Sequence, residues 1–197
     1  MEALILDLKK RYSFADYLTW ADDVRRELID GFIKMMAGAS LKHGDVSGNI
    51  SWDLRTYLKK NRCGCKVYTA PIDVLLPKNG ETENDKICNV VQPDIFVVCG
   101  EHKYDANAYL GAPDMIVEIL SPSNRKRDLV EKFLLYQKAG VREYWIADPE
   151  VKTITAYIMQ PDGEYDDGKL YKTGEKVPVH IFGGHQIDVN DIFNWEP

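Results

Sequence analysis

Apolar residues recur along this chain with two periods, and each change of period marks a predicted element. In residues 45–59 they return every three or four positions, which predicts an amphipathic helix with one buried face. A second helix is predicted over residues 128–139, with Gly140 as its stop signal. Mainly apolar runs predict strands at residues 66–76, 90–98, 115–120 and 143–147.

Turn-forming residues complete the order of elements. Ser13 has the position of an N-cap before a short opening helix, and the pair Asp30 and Gly31 is typical of a two-residue β-hairpin turn. Residues 153–159 alternate apolar and polar side chains, which predicts a strand paired with a later one. We therefore predict one α/β (α+β) domain over residues 1–197, with a central mixed β-sheet flanked by helices, an N-terminal hairpin and a C-terminal β extension.

Composition is that of a folded soluble protein, since 45% of the residues are hydrophobic and 28% are charged. The apolar runs are too short to span a bilayer, and the first residues lack the basic start and cleavage site of a signal peptide. These features predict a cytoplasmic protein with no membrane partner. In a reducing compartment the four cysteines are expected to be free thiols, and their spacing does not favour zinc: Cys63, Cys65, Cys88 and Cys99.

The net charge of −6 is weak evidence against a function on nucleic acids, because proteins that contact phosphates usually carry a basic surface. A local basic strip at residues 124–127 is compatible with a net negative charge of the whole chain.

Two acidic residues stand in or beside the predicted buried strands. Asp94 follows Pro93 at the start of one strand, where an aspartate by itself would accept backbone hydrogen bonds. Glu118 lies inside an apolar run, and a buried carboxylate costs roughly several kcal/mol unless it is paired or metal-bound. Glu118 therefore requires a nearby positive charge, either a metal ion or a structural ion pair with Lys132 or Arg142.

Lys132 is the compensating charge that we favour. It shares a face of the second predicted helix with Asp128 and Tyr136, at a spacing of four residues in each direction. Taken alone, Lys132 and Asp128 would be an ordinary solvated pair. Two carboxylates on adjacent strands with an ammonium nearby can instead hold a divalent cation and a hydrolytic water, which indicates metal-dependent phosphodiester cleavage.

These residues resemble the PD-(D/E)XK nuclease superfamily, and within it the Uma-type restriction endonucleases. The resemblance covers about residues 14–193 and rests on segments 26–31, 92–94, 117–123, 128–136 and 139–149 together with His43. It implies a restriction-endonuclease-like core. The lysine of the general motif would fall at Leu120, so in this subfamily its counterpart stands on the following helix, at Lys132.

The resemblance also implies the roles of the site residues. Asp94 and Glu118 would bind Mg²⁺ or Mn²⁺, with the backbone carbonyl of Ile119 as a further ligand. Lys132 would orient or deprotonate the attacking water, or stabilise charge on the phosphoryl group.

Several other residues have both a functional and a structural interpretation. Glu27 and His43 are auxiliary candidates, although Glu27 could pair with a strand neighbour and His43 could cap the first predicted helix. Asp114 is expected to be structural. Three aromatic residues are expected to pack in the core rather than stack on bases: Trp52, Tyr144 and Trp145.

The favoured hypothesis is a metal-dependent DNA endonuclease that acts on duplex DNA as a homodimer, because twofold symmetry suits one cut on each strand. One alternative is a non-catalytic nucleic-acid-binding or interaction module on the same fold. The other is a structural ion-pair network in a protein that binds a small acidic ligand.

Overall fold

The computed structural model describes residues 4–36, 38–100, 104–105, 108–121 and 127–194. The described helices are α1 (Phe14–Tyr17), α2 (Leu41–Asn61), α3 (Phe133–Ala139) and α4 (Val189–Ile192). A π-helical segment (Arg127–Lys132) leads directly into α3, and a 3₁₀ turn (His180–Phe182) precedes the last strand. Every helix in these ranges is too short or too polar to cross a bilayer.

The described strands are β1 (Arg26–Ile29), β2 (Phe32–Met35), β3 (Lys66–Thr69), β4 (Asp73–Leu75), β5 (Val90–Val91), β6 (Ile95–Val98), β7 (Tyr104–Asp105), β8 (Ala108–Leu110), β9 (Met115–Ile119), β10 (Glu143–Asp148), β11 (Thr153–Ile158), β12 (Lys169–Lys172), β13 (Lys176–Val179) and β14 (His185–Asp188). In the described residues the central sheet has the order β12-β11-β10-β9-β6-β3, and a second sheet has the order β2-β1-β5-β4-β8-β7. The β13–β14 hairpin stands apart.

The central sheet is mixed and is covered on both faces. β9 and β10 run parallel, whereas the other neighbouring strands are antiparallel. On one face, Val117 packs with the buried stripe of α2, which includes Val46 and Ile50. On the other face, Ile116 packs with Tyr136 of α3 and with residues of the second sheet. Successive side chains of a strand point to opposite faces, and here both faces are covered. Every residue of β9 is therefore buried.

The predicted fold class is confirmed, including the hairpin and the C-terminal β extension. Asp30 and Gly31 both have positive φ, which is what the two-residue turn between β1 and β2 requires. Ser13 caps α1 through a hydrogen bond that its hydroxyl accepts from the Asp16 amide. The strand predicted near residues 153–159 is β11, which pairs with β12.

Two predicted strands are each divided between the sheets. The run 66–76 forms β3 in the central sheet and β4 in the second sheet, and the run 90–98 forms β5 in the second sheet and β6 in the central one. Pro71 and Pro93 stand at the two divisions. Proline has no N–H to give to a ladder, so each one marks a place where the chain leaves one sheet for the other.

The two predicted helices also differ from their expected form. The first begins at Leu41, four residues earlier than predicted, because Ser40 caps it by accepting the His43 amide. The second begins as the π-helical segment before it becomes α3. The side chain of Asp128 and the basic strip at residues 124–127 lie outside the described side chains.

Two predictions about side chains were wrong. Trp52 is 70% exposed, because α2 buries a stripe that does not include it, whereas Tyr144 and Trp145 are in the core as expected. Cys65 and Cys99 form a disulfide instead of remaining free thiols. They directly precede β3 and follow β6, where Lys66 faces Val98 across the ladder, so the pairing of the strands brings the two sulfurs together.

Candidate active site

A buried ion cluster lies where the π-helical segment meets both sheets. Lys132 Nζ is 2.8 Å from Oε1 of Glu118 in β9 and 2.8 Å from Oε1 of Glu27 in β1. The three side chains are only 1%, 2% and 0% exposed for Lys132, Glu118 and Glu27 respectively. One ammonium therefore serves as the shared counter-charge for two carboxylates from different sheets.

Tyr136 completes this cluster one helical turn after Lys132. Its hydroxyl donates a hydrogen bond of 2.6 Å to Oε1 of Glu118. Burial raises the pKa of Tyr136 well above its ordinary value, and the charges of Glu118 and Glu27 raise it further. The phenol therefore remains a protonated donor that holds the Glu118 carboxylate in place.

Asp94 lies beside this cluster in a cleft of about 390 Å³. The cleft is lined by residues of α2, by the segment that leaves β3 and by Ser121 after β9. Asp94 Oδ2 accepts a 2.7 Å hydrogen bond from the Ile119 amide, and His43 Nε2 is 3.1 Å from the same oxygen. The carboxylate is thus oriented by the main chain of β9 and by a side chain of α2.

The main chain of Ile119 connects the cleft to the ion cluster. Ile95 faces Val117 in the β6–β9 ladder, which brings Asp94 level with Glu118. The N–H and C=O of one residue in an antiparallel ladder point towards the same neighbouring strand. Because the Ile119 N–H points at Asp94, its carbonyl also points towards that side of β9.

Gln92 and Arg25 connect the ion cluster to the cleft, and neither was a predicted site residue. The Gln92 amide donates to Oε1 of Glu27 at 2.9 Å, so the residue before Pro93 contacts the ion cluster directly. Its side-chain carbonyl accepts bonds of 3.0 and 2.9 Å from the Arg25 guanidinium, which lines the cleft. The position of Gln92 two residues before Asp94 was the available sequence signal, and nothing local indicated Arg25.

Asp73 contacts the side-chain amide nitrogen of Gln92. Its Oδ1 accepts bonds from Gln92 Nε2 at 2.9 Å and from the Tyr17 hydroxyl at 3.3 Å. Burial raises the pKa of Asp73, while the bonds from Gln92 and Tyr17 act in the opposite direction.

The structure thus brings five predicted side chains and the main chain of Ile119 to one junction. Asp94 and His43 line the cleft, and the other three side chains form the buried ion cluster: Glu27, Glu118 and Lys132. The capping alternative for His43 does not hold, because Ser40 caps α2. Glu27 contacts Lys132 and also accepts the amide of Gln92, which directly follows the neighbouring strand β5. Asp114 is structural as expected, since it accepts the Cys99 amide and pairs with Arg142.

Comparison with known proteins assigns the chain to a family. Residues 14–190 match the model of the Uma2 family, which is described as "Putative restriction endonuclease". The chain belongs to the Uma2 family. This range contains all the site residues above, and the Uma2 match agrees with the resemblance found in the sequence.

Two individual proteins resemble this Uma2 member. "Uncharacterized protein slr1290" of Synechocystis is 26% identical over 153 residues, which are 76% of this chain and 75% of that protein. A crystal structure described as a "putative nuclease belonging to DUF820" from Anabaena variabilis superposes with a TM-score of 0.73 over 93% of this chain and 98% of that chain. At 22% identity, the second likeness shows the shared fold alone.

Proposed function

We propose that this chain is a metal-dependent endonuclease that hydrolyses phosphodiester bonds of duplex DNA. The observation that carries the proposal is that Asp94, which lines the cleft, accepts the amide of Ile119, the residue next to Glu118. Glu118 is in turn paired with Lys132. Membership of the Uma2 family, which is described as "Putative restriction endonuclease", supports the reaction class.

The residues at this junction fit Mg²⁺ or Mn²⁺ as a cofactor. Asp94, Glu118 and the Ile119 carbonyl would hold the ion, and all three offer the oxygen ligands that hard cations prefer. In the described part of the chain, no three His, Cys, Asp or Glu side chains form a metal-holding group. That finding is compatible with Mg²⁺, which commonly binds one or two carboxylates and completes its shell with water and substrate phosphate oxygens.

The protein groups around the ion have separate tasks in the proposed reaction. When bound, the cation lowers the pKa of a water ligand and neutralises charge on the phosphate. Lys132 orients the attacking water and balances Glu118, while His43 keeps the Asp94 carboxylate aligned. Arg25 places a positive charge in the cleft, where it would contact a phosphate oxygen.

Cleavage of supercoiled plasmid DNA in Mg²⁺ or Mn²⁺, compared with EDTA, tests the proposal. Wild type should cut only with the metal, and Asp94→Asn should lose at least about a hundredfold in rate, as expected when a charged group at the reaction centre is removed. Asn keeps an oxygen that can accept the Ile119 amide, so this variant removes charge with little change in structure. Asp45→Asn, an exposed residue of α2, is the matched control and should cut normally.

Direct metal binding provides a readout that does not depend on cleavage. Titration of Mn²⁺ followed by electron paramagnetic resonance should show binding in wild type and weaker binding in Asp94→Asn and Glu118→Gln. Lys132→Met should lose cleavage, with exposed Lys138→Met as its control. Wild type that neither binds Mn²⁺ nor cuts DNA would contradict the proposal.

A non-catalytic nucleic-acid-binding or interaction module is the second candidate. The observation that favours it is the near-complete burial of Glu118 and Lys132, which contact each other and already satisfy much of each other's charge. A folded wild type that binds DNA with a strong salt dependence, and does not cut it in either metal, would support this second function.

A further inference from the structure

Three sulfur atoms lie together at the end of the central sheet that is remote from Asp94. Cys65 is bonded to Cys99, and the Sγ of Cys63 is 3.4 Å from the Sγ of Cys65. Cys63 is a free, exposed cysteine. A thiol is therefore in van der Waals contact with one sulfur of an existing disulfide.

The end of α2 holds Cys63 in this place. The helix closes at Arg62, which has a left-handed φ of 50°. The Cys63 amide then donates a 3.1 Å bond to the carbonyl of Leu58, so the residue is tied to the last turn of the helix. Only Gly64 separates it from Cys65 at the start of β3. The contact between the two sulfurs thus follows from the way the helix ends.

We propose that Cys63, Cys65 and Cys99 form a thiol–disulfide exchange site, in which Cys63 is the nucleophile. The Cys63 thiol loses its proton to solvent, and the thiolate attacks Cys65 Sγ. A bond forms between Cys63 and Cys65 while the bond between Cys65 and Cys99 breaks, and Cys99 leaves as a thiolate that takes a proton from solvent. The number of disulfides is unchanged, so the step requires neither an oxidant nor a reductant.

The two forms constrain different parts of the fold. The bond between Cys65 and Cys99 joins β3 to β6 across 34 residues of sequence. The bond between Cys63 and Cys65 would instead link the end of α2 to β3 and leave Cys99 as a free thiol. That thiol would follow directly after β6, where the Cys99 amide is held by Asp114. Exchange would therefore remove the covalent tie between two neighbouring strands and create a new reactive group.

Disulfide mapping by mass spectrometry tests this proposal on the full chain. The protein is prepared at about pH 5, where thiolates are scarce, and then brought to about pH 8 without oxygen or added thiol. Samples are quenched with acid over time, denatured, labelled with N-ethylmaleimide and digested with pepsin. Labelled Cys99 is expected to appear together with a peptide in which Cys63 and Cys65 are joined, and both should form more slowly at lower pH.

Two variants separate this route from other thiol reactions. Cys63→Ser should reduce the labelling of Cys99 to background, while Cys88→Ser, which removes the other free cysteine, should leave it unchanged. The rate should also be independent of protein concentration, because the attack is intramolecular. The proposal is overturned if wild type begins without the Cys65–Cys99 bond, if Cys99 stays unlabelled at the higher pH, or if Cys63→Ser releases Cys99 as fast as wild type.

Discussion

Lys132 makes one contact that could be inferred from the sequence and one with a residue far along the chain. Its spacing from Tyr136 placed both on one helix face, and the buried position of Glu118 required a positive charge nearby. The contact with Glu118 agrees with that reasoning. Glu27 was an auxiliary candidate for this site, but its contact with Lys132 did not follow from spacing, because Glu27 lies more than a hundred residues earlier and in the other sheet.

Tyr136→Phe should destabilise the protein by about 2 kcal/mol, because it removes a hydrogen bond to a buried carboxylate. Tyr165→Phe is the matched control. Its hydroxyl is also buried, but donates to the neutral carbonyl of Val141, so about 1 kcal/mol is expected. Urea unfolding of both variants measures the difference, and an equal or smaller loss for Tyr136→Phe would contradict the role given to Tyr136.

At the scale of elements, short-range signals predicted turns and caps well. The Asp30–Gly31 turn and the Ser13 cap depend on residues within three positions of each other, so the local sequence is enough to specify them. The division of two apolar runs between sheets was missed, because an apolar run indicates burial and does not tell which partner strand it will pair with.

Ser40→Ala should lower stability by about 1 kcal/mol, because α2 loses the hydroxyl that accepts the His43 amide. For a chain of this size the midpoint of thermal unfolding should fall by about 3 °C. Ser47→Ala, inside the same helix, should change stability by no more than about 0.5 kcal/mol. A loss as large in Ser47→Ala as in Ser40→Ala would show that the cap is not the cause.

Glu143 ties the C-terminal extension to β10 and should make stability depend on pH. Its carboxylate accepts bonds from Trp145 Nε1 and the Ile181 amide, and burial raises its pKa above the ordinary value of 4.5. The folded state therefore binds this proton more tightly than the unfolded state does. The stability contributed by this group must fall as pH rises from about 4.5 to the folded pKa, by about 1.4 kcal/mol for each pH unit in that window.

Comparison of wild type with Glu143→Gln isolates this effect, since glutamine does not titrate. The free energy of unfolding of wild type minus that of the variant should be larger at about pH 4.5 than at pH 7. Urea unfolding at both pH values gives this difference. A difference that grows with rising pH would show that the pKa of Glu143 is lowered instead.

At the scale of the whole molecule, the prediction of a homodimer can be tested together with the pattern of cleavage. Sedimentation equilibrium should give about twice the chain mass of 22.5 kDa. If two protomers cut opposite strands in one encounter, linear plasmid should form without prior accumulation of nicked circles. A monomer that produces nicked circles alone would contradict the dimer while leaving the nuclease proposal intact.

Features that depend on near neighbours or on burial alone could be inferred from the order of residues. These are the hairpin turn, the helix cap, the buried central strands and the need for a positive charge beside Glu118. The resemblance in its motifs also predicted the fold class and the family. All of these can be inferred from residue types and short spacings. Local conformational preferences specify the turn and the cap, and the cost of burying a charge requires a counter-charge beside Glu118.

The contacts between residues that are distant along the chain became known from the three-dimensional fold. It joined Glu27 to Lys132, placed His43 on Asp94, and brought Cys65 and Cys99 together with Cys63 beside them. The physical reason is that such contacts follow from the order of strands and the packing of helices on two sheets. A residue's own neighbours do not specify a partner tens of residues away, because that partner is chosen by the packing of the whole chain.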